Sequence, residues 1–155
     1  MKRSTIAKTF TIAAIATIAV AIAPTAKAAD KGCSNASLAG TFSQKNAGSV
    51  ISPAAMAGPL ANVGTLTFDG SGGVTGAVSK SLNGNIGSST QTGTYEVNPD
   101  CTGTFMVLIS PAGFTSHYFF VIDDSGSELQ MICTDPGVVF SGTARRQFPE
   151  FDWRQ

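Results

Sequence analysis

From residue 38 onward, apolar and polar side chains alternate with a period of two, in short runs separated by turn residues. The clearest instance is 93–104. Gly93, Tyr95 and Val97 share one parity, and Thr94 and Glu96 the other. Asn98, Pro99 and Asp100 then form a turn, because proline presets φ while Asn and Asp bond the local backbone. Beyond it, Gly103, Phe105, Val107 and Ile109 resume the alternation. The same pattern predicts strands over 38–45, 63–69, 74–82, 87–97, 114–122, 127–133 and 138–145, about eight in all. Their joints carry hairpin chemistry: Asp69 to Gly73, Asn83-Gly84, Pro111 to Gly113, Asp123 to Gly126, and Asp135-Pro136-Gly137. Residues 47–62 differ. They are small and uncharged, and Pro53 and Pro59 forbid a long helix, so this stretch is expected to be a long loop covering one open end.

Short joints place successive strands side by side. The expected fold is therefore all-β, a single eight-stranded antiparallel up-and-down barrel that removes both exposed edges by closing on itself. A two-sheet sandwich is the competing architecture, and it would demand a long crossover. Closure at eight strands leaves an interior that side chains fill or share with one small ligand. Two runs are apolar on both parities: Phe105 to Ile109, and Phe119 to Ile122. Strands of that kind are covered on both faces. The outer wall near Met106, Leu108, Tyr118 and Phe120 is thus expected to meet a second subunit, giving a homo-oligomer, or the chain's own Phe148, Phe151 and Trp153.

The first residues change the picture of compartment. Lys2, Arg3 and Lys8 precede an apolar run over 10–23, and Pro24 and Ala26-Lys27-Ala28 end it. This is the three-part form of a cleaved secretory signal peptide. The run is shorter than the ~20 residues that span a bilayer, so no membrane association is expected after cleavage. The organisation read from the sequence is a signal peptide over 1–28, a barrel domain over 29–146 and a tail over 147–155. The destination is the periplasm or the exterior. Removing Lys2, Arg3, Lys8 and Lys27 from the ten basic residues leaves six against ten acidic ones, a net charge of −4. A mildly acidic domain without a basic cluster is a poor nucleic-acid binder.

Three cysteines lie beyond residue 28. In an oxidising compartment two of them pair, and three pairings are possible. Cys33 and Cys101 flank strand ends, whereas Cys133 shares the parity of Leu129 and Met131, so Cys33–Cys101 is the expected disulfide and Cys133 a buried free thiol. There is no Cys-x-x-Cys and only one histidine, which disfavours a metal site. No phosphate loop, Gly-x-Ser-x-Gly elbow or His-Glu-x-x-His occurs, and no cofactor is implied.

The candidates for lining a ligand site are the residues assigned inward parity: Tyr95, Phe105, His117, Phe119 and Leu129. Of these, Tyr95 offers a phenol, and His117 an acid–base group that is equally at home as a structural hydrogen-bonding residue. Cys133 and His117, on adjacent strands, form a conceivable nucleophile pair, although nothing nearby would lower the thiol's pKa. Glu96 is expected on the solvent face, and one of Arg145 and Arg146 must point each way.

Residues 64–72, 93–104 and 141–146 together resemble a group of small exported bacterial proteins similar in pattern to the allene oxide cyclase barrel superfamily. The resemblance implies an eight-stranded barrel. In that superfamily the interior of such a barrel binds apolar substrates and steers a cyclisation. Its motifs are turn and glycine motifs, and no catalytic residue of the superfamily maps onto a position here. The function expected from the sequence is therefore binding of a small apolar ligand. A cyclase-like isomerase, or a surface or assembly protein using an apolar wall, stands as the alternative.

Overall fold

The computed structural model describes residues 32–148. The expected signal peptide and most of the expected tail lie outside the described residues. Eight antiparallel strands follow one another: β1 (Gly40–Val50), β2 (Gly58–Phe68), β3 (Gly73–Leu82), β4 (Asn85–Val97), β5 (Thr102–Ser110), β6 (Phe114–Asp123), β7 (Glu128–Cys133) and β8 (Val138–Arg146). Each pairs with its successor, and β1 pairs with β8 from Phe42↔Arg146 to Val50↔Val138, so the barrel is closed. No strand edge is left to template pairing with another chain.

Turn chemistry sets the joints. Asp69 Oδ1 accepts the backbone N–H groups of Ser71, Gly72 and Gly73 at 2.7–2.9 Å, fixing the β2–β3 turn. Between β3 and β4, Asn83 and Gly84 both adopt positive φ (49° and 81°), as the tightest hairpin turn requires. At the β4–β5 turn, Asp100 Oδ1 accepts the N–H and the hydroxyl of Thr102.

The loop expected over 47–62 is largely strand. β1 runs to Val50 and β2 starts at Gly58, so only 51–57 bridge them, with a short 3-10 turn at Ala54–Met56. The physical reason is the closed ladder. Ala47, Gly48 and Ser49 have no apolar alternation to announce a strand, but β2 on one side and β8 on the other supply every partner their backbone needs. Gly48 and Gly142 are glycine because their strands pass too close for a side chain: a Cβ on either would lie about 2 Å from a carbonyl oxygen of the neighbouring strand. Pro59 sits at the start of β2, before the ladder to β3 begins at Leu60, where a missing N–H costs no bond to β3.

A second correction concerns β6. His117, Phe119 and Val121 point outward, and Ser116, Tyr118, Phe120 and Ile122 point inward. A run apolar on both parities carries no period-two signal, so its register is decided by its neighbour. Gly103, opposite Phe120, leaves the space that the Phe120 ring fills: a Cβ there would lie 2.3 Å from the ring. The Tyr118 ring stacks on Phe105 at 4.4 Å.

One end of the barrel is solid. Phe42, Phe68, Tyr95, Phe105 and Phe120 form an aromatic cluster, with Leu66, Val107, Leu129 and Ala144 buried around it. A plug at Asn35–Leu38 closes this end. Leu38 is fully buried, Asn35 accepts the Tyr95 hydroxyl through its carbonyl and the Val97 N–H through its side chain, and the Cys33–Cys101 disulfide ties the plug to the β4–β5 turn. Arg146 lies over the Phe42 ring and donates to the carbonyls of Ser37, Ala39 and Gly126. Arg145, by contrast, is exposed and pairs with Glu128.

Candidate functional site

The other end of the lumen is not filled. Its floor is a belt of buried polar side chains: Gln44, Asn46, Ser89, Gln91 and Ser116. Alternation places them there, since each has the inward parity of its strand. Gln44 follows Phe42 on β1, and Ser89 and Gln91 precede Tyr95 on β4. Gln44 donates to Gln91 at 2.9 Å, and Asn46 donates to Gln44 at 3.1 Å and to Asn62 at 2.9 Å. Two fully buried atoms of the belt, Asn46 Oδ1 and Ser89 Oγ, have no partner among the described residues. Buried polar atoms are ordinarily paired, and each exception costs free energy.

Above the belt is a cavity of about 500 Å³. Val78, Ile109, Tyr118 and Phe140 form its walls; Leu60, Leu82 and Phe114 stand nearer its mouth; and Pro53 and Met56 reach it from the 51–57 loop. This short connection thus does reach over the open end, as the longer expected loop was to do. Asp135 lies on the wall beside Cys133 and Val138. Its carboxylate accepts the ring Nδ1 of His117 at 2.7 Å and the His117 backbone N–H at 3.1 Å, and it takes a 3.5 Å contact from the Cys133 thiol. Burial pushes the Cys133 thiol above its ordinary pKa; the Asp135 backbone N–H opposes the rise and the Asp135 carboxylate adds to it. Burial likewise raises Tyr118, which stays a neutral phenol. The thiol is therefore not a ready nucleophile at neutral pH, and the imidazole that could have activated it faces outward, on the solvent side of β6.

Of the five residues singled out in the sequence, Tyr95, Phe105 and Leu129 are inside the barrel, within the solid end below the polar belt. They do not line the cavity. His117 and Phe119 are on the outer wall, contrary to the parity assigned to them. The residues that do line the cavity were marked by a different signal. Ser89 and Gln91 are polar side chains in the inward register of β4, and Lys80 is a charge in the inward register of β3. A polar residue at an inward position is the informative departure from the apolar rule.

The outer wall carries an apolar band. Met106, Leu108, Phe119, Val121 and Ile132 are all between 40% and 50% exposed on β5–β7. Among the described residues, no group of three His, Cys, Asp or Glu side chains is placed to hold a metal ion. Comparison of the chain with protein-family models, with curated proteins and with solved structures finds no match.

Proposed function

We propose that this protein is a small exported barrel that binds a small, largely apolar ligand in the open half of its lumen. The observation that carries this reading is the cavity of about 500 Å³ above a polar floor, in a barrel whose other half is packed solid. That volume is within the range of small-molecule sites, which are apolar with a few placed polar groups. Export is supported by the Cys33–Cys101 disulfide, a bond that persists in oxidising compartments. Binding is favoured over the cyclase-like alternative, because Tyr95 is committed to the plug and His117 lies outside, leaving the lumen without an obvious acid–base pair. Titration with phenyl-naphthylamine, a neutral fluorophore that brightens in apolar surroundings, tests the reading. Saturable binding is expected, and Ile109→Trp, which fills the wall, should weaken it at least tenfold. An unsaturable response, or equal binding by the filled variant, rejects the proposal.

The apolar band on β5–β7 supports a second reading, that the barrel wall joins copies of this chain. Light scattering should then report an oligomer that Phe119→Glu dissociates; a monomeric wild-type protein refutes it.

A further inference from the structure

We propose that the ligand held in the lumen is an acidic amphiphile, a carboxylate on a hydrocarbon body, with its carboxylate at Lys80 and its body against β5–β8. This inference rests on the lumen-binding reading above. The cavity wall is mostly apolar on every side, with Leu60, Val78 and Leu82 on β2–β3 and Ile109, Tyr118 and Phe140 on β5–β8. Among these, inward residues of β2–β4 supply the polar groups Asn62, Lys80, Ser89 and Gln91. The facing side carries Ser116 at the floor and Asp135 beside Cys133.

Lys80 is the centre of the polar side. It pairs with Asn62 on β2 and with Gly87 on β4. Its side chain lies across Gly87, with Cε 4.0 Å from where a Cβ on that glycine would sit. It is half-buried, lines the cavity and makes no ion pair among the described residues. A lysine at a barrel mouth can simply stretch to water. Its surroundings indicate more than that. Ser89, one inward step deeper on β4, is 5% exposed and lines the same cavity, and its hydroxyl has no partner. Asn62 spends its carbonyl on Asn46, and its NH₂ donates to nothing among the described residues. An ammonium, an amide NH₂ and a hydroxyl are thus gathered on one side of the lumen, all able to donate to an anion.

The sign of the charge follows. The other ionisable groups on the wall are Asp135, Cys133 and Tyr118. Asp135 is occupied by His117 and Cys133, and burial keeps the thiol and the phenol protonated. The carboxylate oxygens of Asp135 are thus already engaged, and Lys80 is the charged group on the wall whose donors are open to a ligand. One lysine with two neutral donors suits a monoanion with two acceptor oxygens; a phosphate ester, with more charge and more acceptors, is ordinarily met by arginines or several cations.

Competition for the bound phenyl-naphthylamine by decanoate and by decanol, at neutral pH, tests this. The two share a chain length and differ in the charged group. In the wild-type protein decanoate should displace the fluorophore at about a tenfold lower concentration than decanol. Lys80→Gln should make the two equal, each competitor being compared with that variant's own affinity for the fluorophore, and an unchanged circular dichroism spectrum and Tm show that the variant is folded. Lys80→Arg should keep the preference, and Ser89→Ala should reduce it. Equal competition in the wild-type protein, a preference that survives Lys80→Gln, or fluorophore binding that neither compound disturbs overturns the acidic-ligand proposal alone. Absence of fluorophore binding overturns the lumen reading and this proposal with it.

Discussion

Removing the Cys33–Cys101 bridge is the most direct probe of how the closed end is held. The perturbation is the double substitution Cys33→Ser, Cys101→Ser, because a single one would leave a thiol free to pair with Cys133. The bridge joins residues 68 apart in sequence, so it restricts the unfolded chain over all of β1–β4. Loop-closure entropy for that length corresponds to about 4 kcal/mol at 25 °C. Part of this can be masked. The plug has its own attachments, the Cys33 N–H to the Pro99 carbonyl, Asn35 to Tyr95 and Val97, and Arg146 to Ser37 and Ala39. If those bonds fail without the bridge, the plug detaches before the barrel opens, and the unfolding barrier to the remaining barrel is that of a shorter domain. Urea titration followed by circular dichroism should show a loss of roughly 3–4 kcal/mol with a steeper denaturant dependence, since the freed chain unfolds to a larger surface. Heating should show a fall in Tm of roughly 10–20 °C. A loss below about 1 kcal/mol with an unchanged slope would contradict the account, because the bridge would then restrain nothing that the barrel had not already restrained.

Two further outcomes follow from the packing and the turns. Gly103→Ala puts a methyl 2.3 Å from the Phe120 ring and 2.4 Å from the Glu96 carbonyl, so it should cost about 1–3 kcal/mol in chemical denaturation, and an unaffected midpoint would refute the inward placement of Phe120. Asp69 and Asp100 have pKa values held below the ordinary 3.8, Asp69 chiefly by backbone N–H donors and Asp100 chiefly by the Thr102 side chain. A depressed folded-state pKa contributes stability above the unfolded value and loses it as pH falls through the folded one. The double variant Asp69→Asn, Asp100→Asn should therefore melt below the wild-type protein at neutral pH, with the gap narrowing as pH falls through the lowered pKa values; a gap constant with pH would show that the charges do not matter.

The strand count, the closure and the disulfide were legible because they depend on local chemistry that repeats. Asn83-Gly84 and the Asp69 turn carry their φ requirements in their residue types, and Cys33 and Cys101 flank strand ends. Two features were not legible. The register of β6 depends on Gly103 of the neighbouring strand, a partner identified only once β5 and β6 are paired. The strand at 47–50 depends on ladders from β2 and from β8, and β8 lies far off in sequence. The cavity was half-legible. That a barrel of eight strands has room for a ligand follows from geometry, but which end stays open is settled by side-chain volume. The rings of Phe42, Phe68, Tyr95, Phe105 and Phe120 cluster below the belt, where Asn46 and Ser89 mark the change. Attention to Gln44, Lys80, Ser89 and Gln91 as polar residues at inward positions would have found it.

The lopsided filling of the lumen divides labour along the axis. The pole with the plug, the bridge and the ring cluster keeps the chain folded, and it asks little of the opposite rim. Replacing Val78, Leu82 or Ile109 there should change the shape of the open half sooner than whether the barrel stands. Such an arrangement leaves one mouth free to be re-lined, by selection or by design, while its base remains untouched.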